Sequence, residues 1–485
     1  MEKIPLTNLQ TNKKVIINNS FTKDQSKAYD ELSYWINSKY DKKDYKRALI
    51  GPAGTGKTFL IRAIISNCKF SYSKIGLAAP THKAVRVLRN SIIDIPCNCS
   101  TLQSDLGLRL NLQSDNFDVN NPPFDPKGRI KVSEYSLYIV DEASMINRSY
   151  MELLERICLQ SGVKLIVMGD DSQLAPVNES YSSAFRNIKS NVLKQIVRQD
   201  DSNPVKKLLN MLRMDIKMKT FNFLNYISTH KYETDEGNTK GFYICNPEEF
   251  NRAVIMNFND EEFTKNINLC RIVAYTNKQV TMWNSFVRNS IIKDSNKSVI
   301  TKNDLILSYV TIVDDFLSPI ITNCEEYVIK DIINYVHPKY ELKGFMITFT
   351  AIYGGNNTKP LFVVDHTDIN NITKYVAITK KFIEDGKRYG SSSWKNYYEF
   401  KNEVLLITNI LSSNQRILYS RDLDYGFAIT AHKSQGSTFE NVLVDVNDIV
   451  YDSNGRPYAD AQEINRRLYV ACSRCKNKLY LRYGR

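Results

Sequence analysis

The chain has 485 residues, 42% of them hydrophobic, enough to bury several cores, and this excludes both a disordered polypeptide and one small domain. Its 65 Lys and Arg against 52 Asp and Glu give a formal charge of +13, a field that favours a polyanionic partner, nucleic acid being the commonest. No apolar run reaches membrane-span length, the first residues lack a signal-peptide core, and 9 scattered Cys suit a reducing compartment; a soluble, intracellular protein with no membrane partner is expected.

In chain order, short apolar runs bounded by turn residues at 47–50, 75–79, 137–140 and 165–168 predict buried parallel strands. Residues 57–68 read as a helix, and so do residues 81–92, which place Ala84, Val85, Leu88 and Ile92 on one face. Residues 107–129 are polar, carry Pro122, Pro123, Pro126 and Gly128, and read as a small hairpin or an extended loop. Strand-like runs return at 271–275, 427–430, 441–444 and 478–481. Between them, residues 303–422 carry alternating stretches at 326–332, 344–351 and 361–364, followed by helical residues 372–388, and predict a β-rich module with a helical hairpin. The expected class is α/β with two parallel-sheet lobes. The first lobe spans 1–106 and 130–197 with 107–129 inserted; the second spans 198–302 and 423–485 with 303–422 inserted. Cys97 and Cys99, or Cys472 and Cys475, have the spacing of half a zinc site, but no further ligands stand near either pair.

The most specific chemical signal is GPAGTGKT, formed by Gly51, Pro52, Ala53, Gly54, Thr55, Gly56, Lys57 and Thr58 between a predicted strand and helix. Such a loop wraps backbone N–H groups around the phosphates of ATP at the positive end of a helix. Lys57 is expected on the β- and γ-phosphates and Thr58 on Mg²⁺. The carboxylates Asp141 and Glu142 follow the strand at 137–140, on the side where α/β ligand sites form. Asp141 is the expected Mg²⁺ group, acting through water, and Glu142 the expected general base.

The blocks FTKDQSKAYD, GPAGTGKT, LAAPTHKAVRVL, VDEASM, GDDSQLAPV, VAYTNKQVTMWN, AITAHKSQGSTFENV and RRLYVACSRCKNKLYL resemble, in order, the motifs of superfamily 1 helicases of the RecD-like, 5′-to-3′ branch, the Dda-like enzymes in particular. The resemblance implies two RecA-like lobes of the P-loop NTPase fold, a pin at 107–129 and a β-barrel with a helical hairpin at 303–422. It implies an ATP-dependent DNA helicase that translocates 5′ to 3′ on single-stranded DNA and opens tailed or forked duplex, as a monomer working in phage replication or recombination. By the same likeness Gln25 reads adenine, Gln173 senses the γ-phosphate, Arg198 and Arg474 act on it, and Gln435 with Gly436 links strand to nucleotide.

Strand contacts fall by the resemblance on Pro80, Thr81, His82, Lys83, Thr101, Thr430, His432 and Lys433. Gln103 stands where relatives usually have histidine, which puts the contact around Thr101 in doubt. Phe117 and Phe124 are the aromatics of the 107–129 insertion, so either stacks on the fork or anchors its own loop. Trp394, Tyr397 and Tyr398 either hook the helical hairpin to that pin or simply pack the insertion. Two other functions fit the same motifs: the motor subunit of a recombination nuclease, and a nucleotide-gated binding module without productive hydrolysis.

Overall fold

The computed structural model describes residues 21–110, 124–126, 128–176, 179, 181–195, 197, 203–259, 261–293, 295, 298–314, 319–352, 355–414 and 416–484. The chain forms two compact units, one of residues 1–80, 84–107 and 129–200, the other of 81–83, 108–128 and 201–485.

The first unit is built on a six-stranded sheet in the order Asn98–Thr101, Ile75–Ala79, Leu137–Val140, Lys164–Gly169, Lys46–Ile50, Lys189–Val192. Every pair in it is parallel. The inner strands are almost entirely buried because both faces of a parallel sheet are covered by its crossover helices. Leu49, Leu77, Ile139 and Ile166 pack there with Leu60 and Ile64 of helix Lys57–Asn67 and with Leu32 and Trp35 of helix Lys23–Asn37. The outer strands Asn98–Thr101 and Lys189–Val192 are polar and partly exposed, so their sequences carry little strand signal.

In the second unit, Ala428–Thr430, Cys270–Ala274, Phe439–Asp445, Cys475–Arg482 and Gly241–Cys245 form a second parallel sheet, with Tyr232–Thr234 antiparallel at one edge. The fully buried Asp445 fastens helix Asn277–Ile291 to it, accepting from Gln279 Nε2 at 2.8 Å and Trp283 Nε1 at 2.8 Å and pairing with Arg482 at 3.0 Å.

The long insertion is a six-stranded sheet ordered Val404–Leu405, Leu361–Val364, Lys343–Ala351, Glu326–Val336, Leu305–Ser308, Leu423–Tyr425. Its last strand lies just beyond the expected boundary at 422, because Leu423–Tyr425 pairs antiparallel with Leu305–Ser308. The two edges meet where Leu406 O accepts from Asp422 N at 2.8 Å and Leu423 N at 2.9 Å, which curls the sheet towards a barrel and removes its open edges. Ile306, Ile329, Ile347, Phe349 and Val363 fill it.

Helices Ile369–Tyr389 and Ser391–Glu403 make the helical hairpin. Trp394 and Tyr397 are buried, and a Cβ on Gly386 would come within 2.6 Å of the Trp394 ring, so the indole lies against the opposite helix. Trp394 therefore packs within the hairpin, its ring 5.8 Å from that of Tyr397. Residues 107–129 hold a two-stranded ribbon, Leu108–Leu110 against Phe124–Pro126, with Leu110 opposite Phe124. Residues 111–123, Phe117 among them, lie outside the described residues, as does the side chain of Phe124.

Candidate functional site

A parallel sheet collects every strand-to-helix turn at one edge, and five of the sequence motifs leave strands of the first sheet there. The glycine-rich loop follows Ile50, Asp141 and Glu142 follow Val140, and the segment with Gln173 follows Gly169; Ile50 and Gly169 are direct register partners. Pro80 and Thr101 end the neighbouring strands, where Ala79 pairs with Thr101.

The loop is shaped for a bound group. Gly56 has φ 78° and forms the N-cap of helix Lys57–Asn67, a left-handed position that a side chain strains. At Gly51 a Cβ would stand 2.8 Å from Leu193 O, so only glycine fits between the loop and the strand connection beneath it. Thr55 Oγ1 donates to Pro52 O at 2.9 Å, and Lys57 Nζ donates to Gly51 O at 2.6 Å and Pro52 O at 3.1 Å, which draws the ammonium over the loop. Gly54, Gly56, Lys57 and Thr58 are partly exposed and Ala53 is exposed, so the loop is open to a ligand.

Gln25 has a local task that its sequence pattern did not reveal. It is buried, its Oε1 accepts from Thr22 N at 2.9 Å in a capping box, and its Nε2 donates to Thr55 O at 2.9 Å. The amide therefore ties helix Lys23–Asn37 to the phosphate loop.

Asp141 and Glu142 form the acidic part. Burial and the adjacent Glu142 carboxylate push the Asp141 pKa up, while Lys57 and the Glu142 N–H at 2.8 Å pull it down. Glu142 adopts φ 50°, a left-handed conformation uncommon for a residue with a side chain. Gln173 and Asp170 are buried beside the loop's strand, Gln173 N donating to Asp170 O at 3.2 Å.

In the second unit, residues 431–438 run from the carboxyl end of strand Ala428–Thr430 back to the amino end of strand Phe439–Asp445. One short segment therefore has two functional ends. At the first, Thr430 caps the turn Ala431–Ser434 through Lys433 N at 3.2 Å, and His432 and Lys433 are partly exposed. Burial lowers the pKa of His432, as it does that of His82. At the second, Gly436 has φ 72°, and Gln435 Nε2 and Ser437 Oγ are buried with no hydrogen-bond partner among the described residues. Buried donors without partners are rare and point to a ligand. Arg474 stands at the same end, buried, donating to Val470 O at 3.0 Å and Ser437 O at 3.3 Å. Arg198 lies outside the described residues.

Lys83 departs from its expected role. Its ammonium is buried and pairs with Glu326 Oε2 at 3.0 Å, while Arg271 holds the other oxygen of Glu326 at 3.1 Å. A side chain enclosed in that triad is not presented to a strand; Glu326 lies 243 residues away in sequence, so spacing gave no sign of it. Thr81 and His82 remain at least partly exposed, and Thr101 caps helix Leu102–Asp105 through Ser104 N at 3.3 Å. Sequence reasoning also passed over Tyr309, Arg421 and Asp424, which surround Lys433 and belong to no motif.

Comparison with known proteins agrees with the motif reading. The family described as AAA domain matches residues 35–228. An uncharacterized protein of Acanthamoeba polyphaga mimivirus is 24% identical, the match covering 95% of this chain and 99% of that one. The ATP-dependent DNA helicase Dda of Enterobacteria phage T4 is 23% identical, over 87% of this chain and 91% of its own length. Among solved structures, the Pif1 helicase from Candida albicans aligns over 97% of this chain and 95% of its own, with 17% identity and a TM-score of 0.48. The first sheet is that of a RecA-like P-loop domain, and the likeness to RecD-like superfamily 1 helicases extends through most of the chain.

Proposed function

We propose that this chain, a P-loop NTPase with the motif order of the RecD-like helicases, is an ATP-dependent DNA helicase that moves along single-stranded DNA and separates duplex. One observation carries the reading: the phosphate loop, the Asp141–Glu142 pair and Gln173 leave neighbouring parallel strands at a single edge. Such convergence supports nucleotide hydrolysis, since phosphoryl transfer is catalysed chiefly by positioning and charge.

The residues present suit ATP with Mg²⁺: a glycine cradle, an ammonium over it, a hydroxyl at Thr58 and a carboxylate at Asp141. Bound Mg²⁺ would neutralise charge on the β- and γ-phosphates. Lys57 binds the same phosphates, and Glu142 takes the proton of the attacking water. Gln173 senses the γ-phosphate, Arg198 and Arg474 act on it, and Gln435 with Gly436 links strand to nucleotide. Thr81, His82, Thr101, Thr430, His432 and Lys433 contact the strand, through backbone phosphates and base faces rather than base edges. The likeness to the 5′-to-3′ branch assigns that polarity, and a monomer is the working unit. The insertion at 107–129 acts as the pin.

ATP turnover measured with and without single-stranded DNA tests this reading against a nucleotide-gated binding module. A helicase predicts turnover that the strand stimulates and Lys57→Ala removes. Strand binding that responds to ATP with no turnover would favour the binding module.

A further inference from the structure

Lys433 is a half-buried cation that no carboxylate pairs with directly among the described residues, Asp424 acting on its charge only from a distance. Among the described residues its ammonium makes no hydrogen bond and no ion pair; it lies 3.4 Å from the ring centroid of Tyr309, which stands just after strand Leu305–Ser308 in the β-rich insertion. The neighbouring carboxylate, Asp424, is engaged by Arg421 at 2.9 Å and by Tyr425 N–H at 2.8 Å. Arg421 is satisfied in turn, donating to Tyr309 Oη at 3.2 Å and Thr281 Oγ1 at 3.2 Å. The Tyr309 backbone is fixed by its N–H to Asp422 O at 2.8 Å.

An aromatic face attracts an ammonium without occupying its three donors, whereas a carboxylate both neutralises it and takes them up. Burial also disfavours the charged form of Lys433, so an ammonium kept there without an anion is poorly satisfied until one arrives. Lys433 stands in the turn that follows Thr430, at the carboxyl end of the parallel strand Ala428–Thr430.

We propose that Tyr309 is a positioning residue for strand binding: its ring holds the Lys433 ammonium in place, with its N–H donors free, to take one backbone phosphate of single-stranded DNA. This rests on the helicase reading and extends it by giving the β-rich insertion a part in gripping the strand. The ring face is the working feature and the hydroxyl is not, since the hydroxyl serves Arg421.

The test is the salt dependence of binding to a fluorescein-labelled oligothymidylate, between about 50 and 200 mM NaCl, where each phosphate neutralised on a single strand contributes about 0.7 to the slope of log K against log salt. Lys433→Ala is expected to lower that slope by about 0.7. Tyr309→Leu, which keeps apolar volume, should lower it comparably and weaken binding roughly three- to thirtyfold, the range of a cation–π contact. Tyr309→Phe should match wild type, and Tyr309→Leu combined with Lys433→Ala should be no worse than Lys433→Ala alone. If Tyr309→Leu does not fold, pentafluorophenylalanine at position 309 keeps the ring's shape while reversing its quadrupole, and is expected to show the same loss. A wild-type slope in Lys433→Ala, a wild-type slope on loss of the ring face, or a Tyr309→Phe defect as large as that of Tyr309→Leu would each overturn the inference. Wild-type hydrolysis stimulated by the same oligonucleotide upholds the helicase reading separately, so these failures do not count against it.

Discussion

At the scale of single residues, Glu142 and Lys57 divide the work of the nucleotide site, and their variants should differ in kind. Glu142→Gln keeps shape and hydrogen bonding but cannot accept a proton, so ATP binding should persist while turnover falls by on the order of 10²-fold or more. Lys57→Ala should weaken nucleotide binding itself, measured with a fluorescent ATP analogue. Near-normal turnover in Glu142→Gln would remove it as the base. Arg474 is held by carbonyls of its own unit, at Val470 and Ser437. Arg474→Ala is expected to abolish most strand-stimulated hydrolysis with little change in strand affinity, and equal loss of both would make it a structural or strand-contact residue. Residue types were readable from sequence where the chemistry is local: a glycine loop, a lysine and two carboxylates at strand ends. Lys83 shows the limit, for a lysine beside Thr81 and His82 reads as a phosphate contact until Glu326 and Arg271 are brought to it by folding.

At the scale of elements, the Lys83–Glu326–Arg271 triad joins residues 81–83 to strands Glu326–Val336 and Cys270–Ala274 within the second unit. All three side chains are buried, so removing the shared anion leaves two cations enclosed together. Glu326→Gln should therefore destabilise the fold by about 3–5 kcal/mol in urea unfolding. A change below about 1 kcal/mol, the size of a surface pair, would mean the triad is solvated. The central strands were legible because both faces are buried and their residues are uniformly apolar; Ile75–Ala79 and Leu137–Val140 stand where the apolar runs put them. Strands Lys189–Val192 and Asn98–Thr101 were not, since edge positions expose one side and tolerate Lys, Ser and Asn. The aromatic run with Trp394, Tyr397 and Tyr398 left two roles open; the Trp394 indole lies against Gly386 of the opposite helix, a contact that local sequence does not encode, and the residues that a hook would reach, 111–123, lie outside the described ones.

At the scale of the molecule, motor and wedge are expected to be separable. The ribbon Leu108–Leu110 with Phe124–Pro126 interrupts the chain between Thr101 and Asp141 and supplies none of the phosphate-loop or acidic residues. Replacing residues 111–127 with a short Gly/Ser linker should preserve strand-stimulated ATP turnover and sharply reduce duplex separation. Wild-type unwinding by that variant would move the search for the wedge to residues 303–422. An ATP-driven motor on single-stranded DNA should separate strands in a tail-dependent way, which is read on matched duplexes carrying a 5′ or a 3′ single-stranded tail in ATP and Mg²⁺. The 5′-tailed duplex should be opened and the 3′-tailed one not, and Glu142→Gln should open neither. Failure to open either tailed duplex while ATP is hydrolysed, or opening that proceeds equally without ATP, would contradict an ATP-driven motor.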